Sequence, residues 1–144
     1  MAIQFFTQDT NFKLSQKRII NSWIKSTISL HQKKCGEISF IFTSDDQILE
    51  VNRQYLQHDY FTDIITFNYN SEDIISGDIY ISVDTVRSNA SIYKVTFEEE
   101  LHRVIIHGIL HLLGFNDKSK SQQKQMTENE NSNLKILYSQ FMVS

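Results

Sequence analysis

His107 and His111 stand four residues apart in the run Val104–Asp117, VIIHGILHLLGFND, one of the most apolar stretches of the chain. Residues four apart on a helix share one face, with Cβ atoms about 5–6 Å apart. Each imidazole can then bring a ring nitrogen about 2.0–2.1 Å from one shared zinc ion. Their neighbours are apolar nearly all round, which predicts a buried helix. A buried imidazole without a partner costs about 1–3 kcal/mol, and a metal ion would satisfy both. Two core histidines bonded to backbone carbonyls or carboxylates are the competing reading.

The following residues favour the metal. Gly108 removes a side chain beside His107, which permits close approach of another backbone or a ligand. Gly114 predicts a sharp turn after His111, one that can bring Asn116 or Asp117 back toward the same face. Asp117 would complete a set of two imidazoles and one carboxylate with a coordination position left open, as in catalytic zinc sites. Iron(II) accepts the same donors. The H-E-x-x-H helix of metalloproteases puts a general-base Glu directly after the first His. Here that position is Gly108, so peptide hydrolysis by that mechanism is not expected.

The elements that must position these residues are read from periodicity and caps. Ala2–Thr7 alternates as a short strand. Ser15 is the expected N-cap of a helix with apolar pairs Ile19/Ile20 and Trp23/Ile24, ending near Lys33–Gly36. Ile38–Thr43 reads as a strand, and Ser44 with Gln47 as a capping box opening a helix to about Tyr55. Ile64–Tyr69 and Asp78–Val83 read as two strands of a hairpin. Asp84 is the expected cap of a helix to about Tyr93. Thr96 with Glu99 opens the histidine helix, with Glu98, Glu99 and Glu100 at its positive end. A last helix covers about Ser119–Gln140. The fold class is α+β: a small mixed sheet of about four strands packed with about five helices. The metal site lies at the C-terminal end of a buried helix.

The chain has 144 residues, 40% hydrophobic and 12% aromatic, enough for one domain over 1–144 with an unstapled core. The single cysteine, Cys35, cannot form an internal disulfide and reads as a small buried hydrophobe near a helix end. No apolar run approaches membrane length and no signal segment opens the chain, so a cytoplasmic protein without membrane contact is expected. The formal net charge is −3, so RNA binding would have to rely on a local patch or a metal.

His107-Gly108-Ile109-Leu110-His111-Leu112-Leu113-Gly114-Phe115 resembles the H-G-x-L-H-L-x-G-Y-D-H signature of the YbeY family of bacterial rRNA maturation factors. Asn52 to Tyr55, Thr62-Asp63-Ile64-Ile65-Thr66-Phe67 and Gly77-Asp78-Ile79 are similar to that family's N-x-x-Y-R, T-D-V-L-S-F and G-D-I segments, in the same order and spacing. The resemblance implies a zinc-dependent, single-strand-specific endoribonuclease acting in 16S rRNA 3′-end maturation and ribosome quality control. It implies one Zn2+ per chain, with His107 and His111 as the first two ligands. The family's third ligand is a histidine, and its position here is Asp117. Carboxylate oxygen also binds zinc, and an anionic ligand would raise the pKa of a bound water relative to a three-histidine site. The family's arginine after the Tyr is Leu56 here. Arg53, one helical turn earlier, is the candidate replacement, with a solvated surface charge as its other reading.

Further residues follow from the same pattern. Lys118, Lys120 and Lys124 could contact the RNA backbone or merely solvate a helix start. Asp63 and Asp78 could orient a ligand histidine through its other nitrogen, or cap turns. No residue announces itself as the general base, though His58 and His102 are possible. The resemblance also implies a single-stranded 16S rRNA precursor, small-subunit ribosomal proteins and a small GTPase as partners. Two alternatives stand beside the nuclease: a non-cleaving ribosome-assembly factor with a structural metal, and a small-molecule metallohydrolase or iron enzyme.

Overall fold

The structure, a computed structural model, describes residues 2–56 and 62–142. Along the chain run β1 (Ile3–Thr7), α1 (Lys17–Leu30), β2 (Lys34–Thr43), α2 (Asp45–Leu56), β3 (Ile64–Asn68) and β4 (Ile74–Ser82). They are followed by α3 (Val83–Tyr93), α4 (Phe97–Leu112), α5 (Lys120–Ile136) and a closing π-helical turn, Leu137–Phe141. The sheet order is β1-β2-β4-β3. β1 and β4 flank β2 in parallel, and β3 pairs antiparallel with β4. The expected α+β class and the mixed four-stranded sheet with five helices are both present.

Strand alternation sorts the apolar residues between two cores. Phe40, Phe42, Ile79 and Ile81 of β2 and β4 face Ile20, Trp23 and Ile24 of α1 and Ile105, Ile106 and Ile109 of α4. On the other face Ile65 meets Ile48 and Val51 of α2, with Phe67 and Tyr80 packed alongside. Consecutive residues of β3 thus serve opposite cores, because successive side chains of a strand point to opposite faces. Ile64 meets α4 and Ile65 meets α2. Gly108 lets α4 lie directly on the sheet: a Cβ there would sit 3.0 Å from Ile64 Cδ1 and 3.0 Å from Ile79 Cγ2. The sheet itself, not a ligand, makes the close approach.

Several boundaries differ from the sequence reading. Ser15 does not cap α1. The N-cap is Gln16, in the left-handed region at φ 59° with no side-chain cap bond, and the helix stops at Leu30. β2 starts at Lys34 because Lys34 and Cys35 pair with Ile74 and Ile75 before a register shift ahead of Ile38. Cys35 is therefore a half-buried strand residue whose thiol is pushed up by burial. α3 is capped by Ser82, whose hydroxyl accepts from the Thr85 N–H at 3.3 Å. Asp84 instead accepts from the Asp45 N–H at 3.0 Å, tying α3 to α2. The Ser44 and Thr96 caps stand as expected, each accepting from the N–H three residues on.

His102 lies on α4 facing α1 and the C-terminal turn, edge-on to Trp23 and with its Nδ1 2.9 Å from the Tyr138 hydroxyl. Burial pushes its imidazole down to about 4, against a weaker upward pull from Glu98. An unfolded histidine titrates near 6.5. Between these values the unfolded chain binds a proton that the folded chain refuses, so stability falls as pH falls, by about 3 kcal/mol at pH 4. Urea unfolding at pH 7 and pH 4 should show His102→Gln losing about 3 kcal/mol less than wild type. Parallel pH dependence in the two proteins would remove His102 from the acid limb.

Candidate metal centre

From Glu100 to Leu112 every residue of α4 is buried except Arg103, His107 and His111. The three recur every four residues, so the helix keeps one narrow polar stripe open. The His107 and His111 rings meet edge to face, 4.6 Å between centroids.

The third donor arrives through the turn that ends the helix. Gly114 takes φ 106°. Its N–H donates to the His111 carbonyl at 3.0 Å, and the Phe115 N–H donates to the Leu110 carbonyl at 3.0 Å. This bond pair is the Schellman ending, and it reverses the chain. A capping box at Ser119 then starts α5, with Gln122 Oε1 accepting from the N–H groups of Lys118 and Ser119, each at 3.1 Å. Asp117 is held between the two devices, while Asn116 is exposed.

Asp117 Oδ2 lies 3.4 Å from His107 Nε2 and 3.5 Å from His111 Nε2. Four ligands at zinc bond lengths of 2.0–2.1 Å define a tetrahedron with edges of about 3.3–3.4 Å. Ligand atoms of the three residues all lie within 4.8 Å of one another. Two nitrogens and one oxygen at this spacing fit a single ion with a fourth position open. The donor set admits zinc and iron(II) alike.

Behind His107 stands a residue that no motif marked. His107 Nδ1 donates to Glu130 Oε2 at 2.6 Å, which leaves Nε2 as the lone-pair nitrogen. Arg103 donates through Nη1 to Glu130 Oε1 at 3.0 Å and through Nη2 to Asn131 Oδ1 at 2.8 Å. A carboxylate on the far nitrogen fixes the ring's tautomer and orientation. The one signal for Glu130 is its register: it shares the buried stripe of α5 with Met126, Asn133 and Leu134. An acid at a core position of a helix asks for a partner.

Electrostatics separate the two imidazoles. Burial pushes His107 down, but the hydrogen bond and charge of Glu130, backed by Asp117 and Asp63, outweigh it and hold the group above its ordinary value. His111 is held below its ordinary value by burial and by the neighbouring charge of His107. Two openings flank the site. A cavity of about 300 Å³ reaches His107 and Asp117, and its walls include Asp63, Glu100, Arg103 and Glu130. A groove of about 520 Å³ reaches His111, with Asn52, Leu56, Thr62, Thr66 and Lys118 in its walls.

The other expected residues separate. Asp63 lines the cavity, and burial raises its carboxyl against the downward pull of His107. The ring nitrogen it was expected to orient goes to Glu130 instead. Asp78 lines pockets with Phe6 and Ile41 and with Tyr55 and Tyr80, away from the histidines. Leu56 and Asn52, a turn apart on α2, line the groove, whereas Arg53 is exposed and not in its wall. Lys120 and Lys124 are exposed on the first turns of α5. His102 belongs to the core, and His58 lies outside the described residues.

A family model described as Endoribonuclease YbeY matches residues 2–138. The endoribonuclease YbeY of Parabacteroides distasonis is 54% identical over 137 residues, covering 95% of this chain and 96% of the relative. That of Bacteroides thetaiotaomicron is 52% identical over 134 residues, covering 93% and 98%. The solution structure of TM1509 from Thermotoga maritima superposes with a TM-score of 0.69 at 26% identity, covering 98% of this chain and 92% of that one.

Glu130→Gln keeps the size of the side chain and removes its charge. The variant should bind zinc about 10–100-fold more weakly than wild type in competition with a chromophoric chelator. Uptake takes only neutral imidazole, so acidification should weaken wild-type binding from a higher pH than it does in the variant. Equal affinities would show that His107 needs no orienting carboxylate.

Proposed function

Since the chain belongs to the endoribonuclease YbeY family, we propose that it hydrolyses phosphodiester bonds of single-stranded RNA at His107, His111 and Asp117, with one zinc ion. The substrate this reading implies is the 16S rRNA precursor, with small-subunit ribosomal proteins as neighbours in the cytoplasm. No helix among the described residues is long and apolar enough to cross a membrane. The catalytic unit is one domain over 1–144. The observation that carries the reading is the spacing of Asp117 Oδ2 from the two Nε2 atoms, 3.4 Å and 3.5 Å, which is the edge of a zinc tetrahedron.

His107 Nε2, His111 Nε2 and Asp117 Oδ2 would hold the ion. When bound, zinc polarises a phosphate oxygen and lowers the pKa of water toward about 7. Glu130 keeps the proton of His107 on Nδ1, so Nε2 faces the site as a donor of electrons. The groove at His111 suits the phosphodiester. Among the described residues its cation is Lys118, and none of its walls is a carboxylate. Lys118 would neutralise a phosphate there, with Lys120 and Lys124 beyond it on α5. Thr62 and Thr66 offer hydroxyls to sugar or base.

One observation favours a non-cleaving assembly factor. Leu56 occupies the groove wall where the family signature has an arginine, and it carries no charge to the phosphate. Metal analysis of wild type, His107→Ala and Asp117→Ala, with the same samples assayed on single-stranded RNA, separates the readings. The nuclease predicts about one zinc per chain in wild type, lost in both variants together with cleavage. Zinc without cleavage in wild type would leave the assembly factor. Asp117→His should also move the rising limb of rate against pH to lower pH, because imidazole donates no negative charge to the ion. An unchanged limb would deny that Asp117 tunes the site.

A further inference from the structure

The cavity beside His107 holds a carboxyl group that neither the fold nor the proposed metal uses. Glu100 lies on α4 seven residues before His107, about 10 Å along the helix axis on the same face. It is 5% exposed, and it lines the cavity that His107 and Asp117 also line. A carboxylate so buried ordinarily has a cation or several donors closed upon it. Among the described residues no hydrogen bond or ion pair closes on Glu100. Arg103, the nearest candidate on its own helix, spends its guanidinium on Glu130 and Asn131.

Two other titratable groups near the site are committed elsewhere. Glu130 is bonded to His107 and Arg103. His102 points into the core against Tyr138. Glu100 is thus the fully buried carboxyl of this cavity that no side-chain hydrogen bond or ion pair holds among the described residues; Asp63, its neighbour in the wall, is only partly buried.

We propose that Glu100 is the proton-transfer group of this site, exchanging protons through cavity water with the reacting atoms beside His107 and Asp117. The proposal rests on the nuclease reading. As the oxygen of the attacking water bonds to phosphorus, its proton passes to the Glu100 carboxylate. As the bond from phosphorus to the leaving ribose oxygen breaks, the carboxylic acid returns a proton to that oxygen. The sum is a phosphodiester and water giving a phosphomonoester and an alcohol, with no other reactant.

The surroundings suit a group that must work in both forms. Burial and the charge of Asp63 push Glu100 up to about 7, with Glu130 and Glu99 adding to the rise and Arg103 opposing it. Tyr93 of α3, His107 of α4 and Asp117 of the turn complete the titratable wall. General acid–base catalysis is most effective when the group titrates near the working pH.

The test uses the full zinc-loaded chain on a single-stranded RNA oligonucleotide. Glu100→Gln should lower kcat by about 100-fold or more and lose the limb of the rate profile near pH 7, with zinc content and KM within about twofold of wild type. Glu100→Asp should keep that limb at a lower rate. The second readout is independent of cleavage: carbon-13 NMR of the Glu100 side-chain carboxyl in the wild-type, metal-free chain should titrate well above an ordinary glutamate. An ordinary glutamate titration, or a Gln variant within about threefold of wild type with its limb intact, would overturn the proposal. If the Gln variant does not fold, the wild-type titration decides. A wild-type chain that holds zinc and cleaves no RNA would instead overturn the nuclease reading, and this proposal with it.

Discussion

Glu130 is a carboxylate with 7% of its surface exposed, and a charge so deeply placed must be answered. Arg103 and His107 answer it, both from α4. The contact joins two helices that otherwise meet unequally. α4 is apolar on most faces, while the buried stripe of α5 is short and half polar. Apolar packing alone would leave α5 free to rotate or slide. The charge pair, with the Trp23 Nε1 bond to the Asn133 carbonyl at 2.9 Å, specifies one register. The same bond sets which nitrogen of His107 carries the proton. Helix docking and ligand chemistry are therefore one interaction here, and a change that loosens α5 also turns the imidazole.

The legible part of the site was local, and the illegible part was not. His107 and His111 announce themselves because helical spacing places both on one face whatever surrounds them. Asp117 follows because Gly114 is a turn signal and the reversal is only three residues long. Glu130 lies 23 residues beyond His107, on a different helix, so no spacing rule connects them. Only its place in a buried stripe hints at it, and that stripe emerges once α5 is docked. Glu100 looked like one of three acids favouring a helix start. Glu98 keeps that solvent-facing role, while the helix rotation carries Glu100 inward. The fold class was legible from caps and alternation. The misread boundaries, at Ser15 and Asp84, are places where a polar side chain beside a helix start bonds elsewhere or not at all.

A chain of formal charge −3 is an awkward partner for RNA unless its charges are sorted. They are sorted about His107, His111 and Asp117. The carboxylates Asp63, Glu100 and Glu130 crowd the cavity on the His107 side, whereas Lys118 stands in the groove on the His111 side. A phosphodiester meets repulsion on one side and attraction on the other, so the approach has a direction before any base is read. The acids that oppose phosphate also depress the charge of their neighbours. Burial and the charge of Asp63 push Glu100 up to about 7, and burial raises Asp63 as well. The cavity is thus less negative than its residue count suggests, and more of its protons are exchangeable.

Asp117 shows how residue type and backbone are matched. Aspartate is shorter than histidine, so its main chain must come closer to the two Nε2 atoms to reach them. The Schellman bonds at Gly114 and Phe115 bring the chain back, and the Ser119 capping box fixes where it must leave again, two residues past Asp117. Little slack remains between these anchors. The turn brings the short Asp117 side chain to 3.4 Å and 3.5 Å from the two Nε2 atoms and sets Lys118, the next residue, in the wall of the groove.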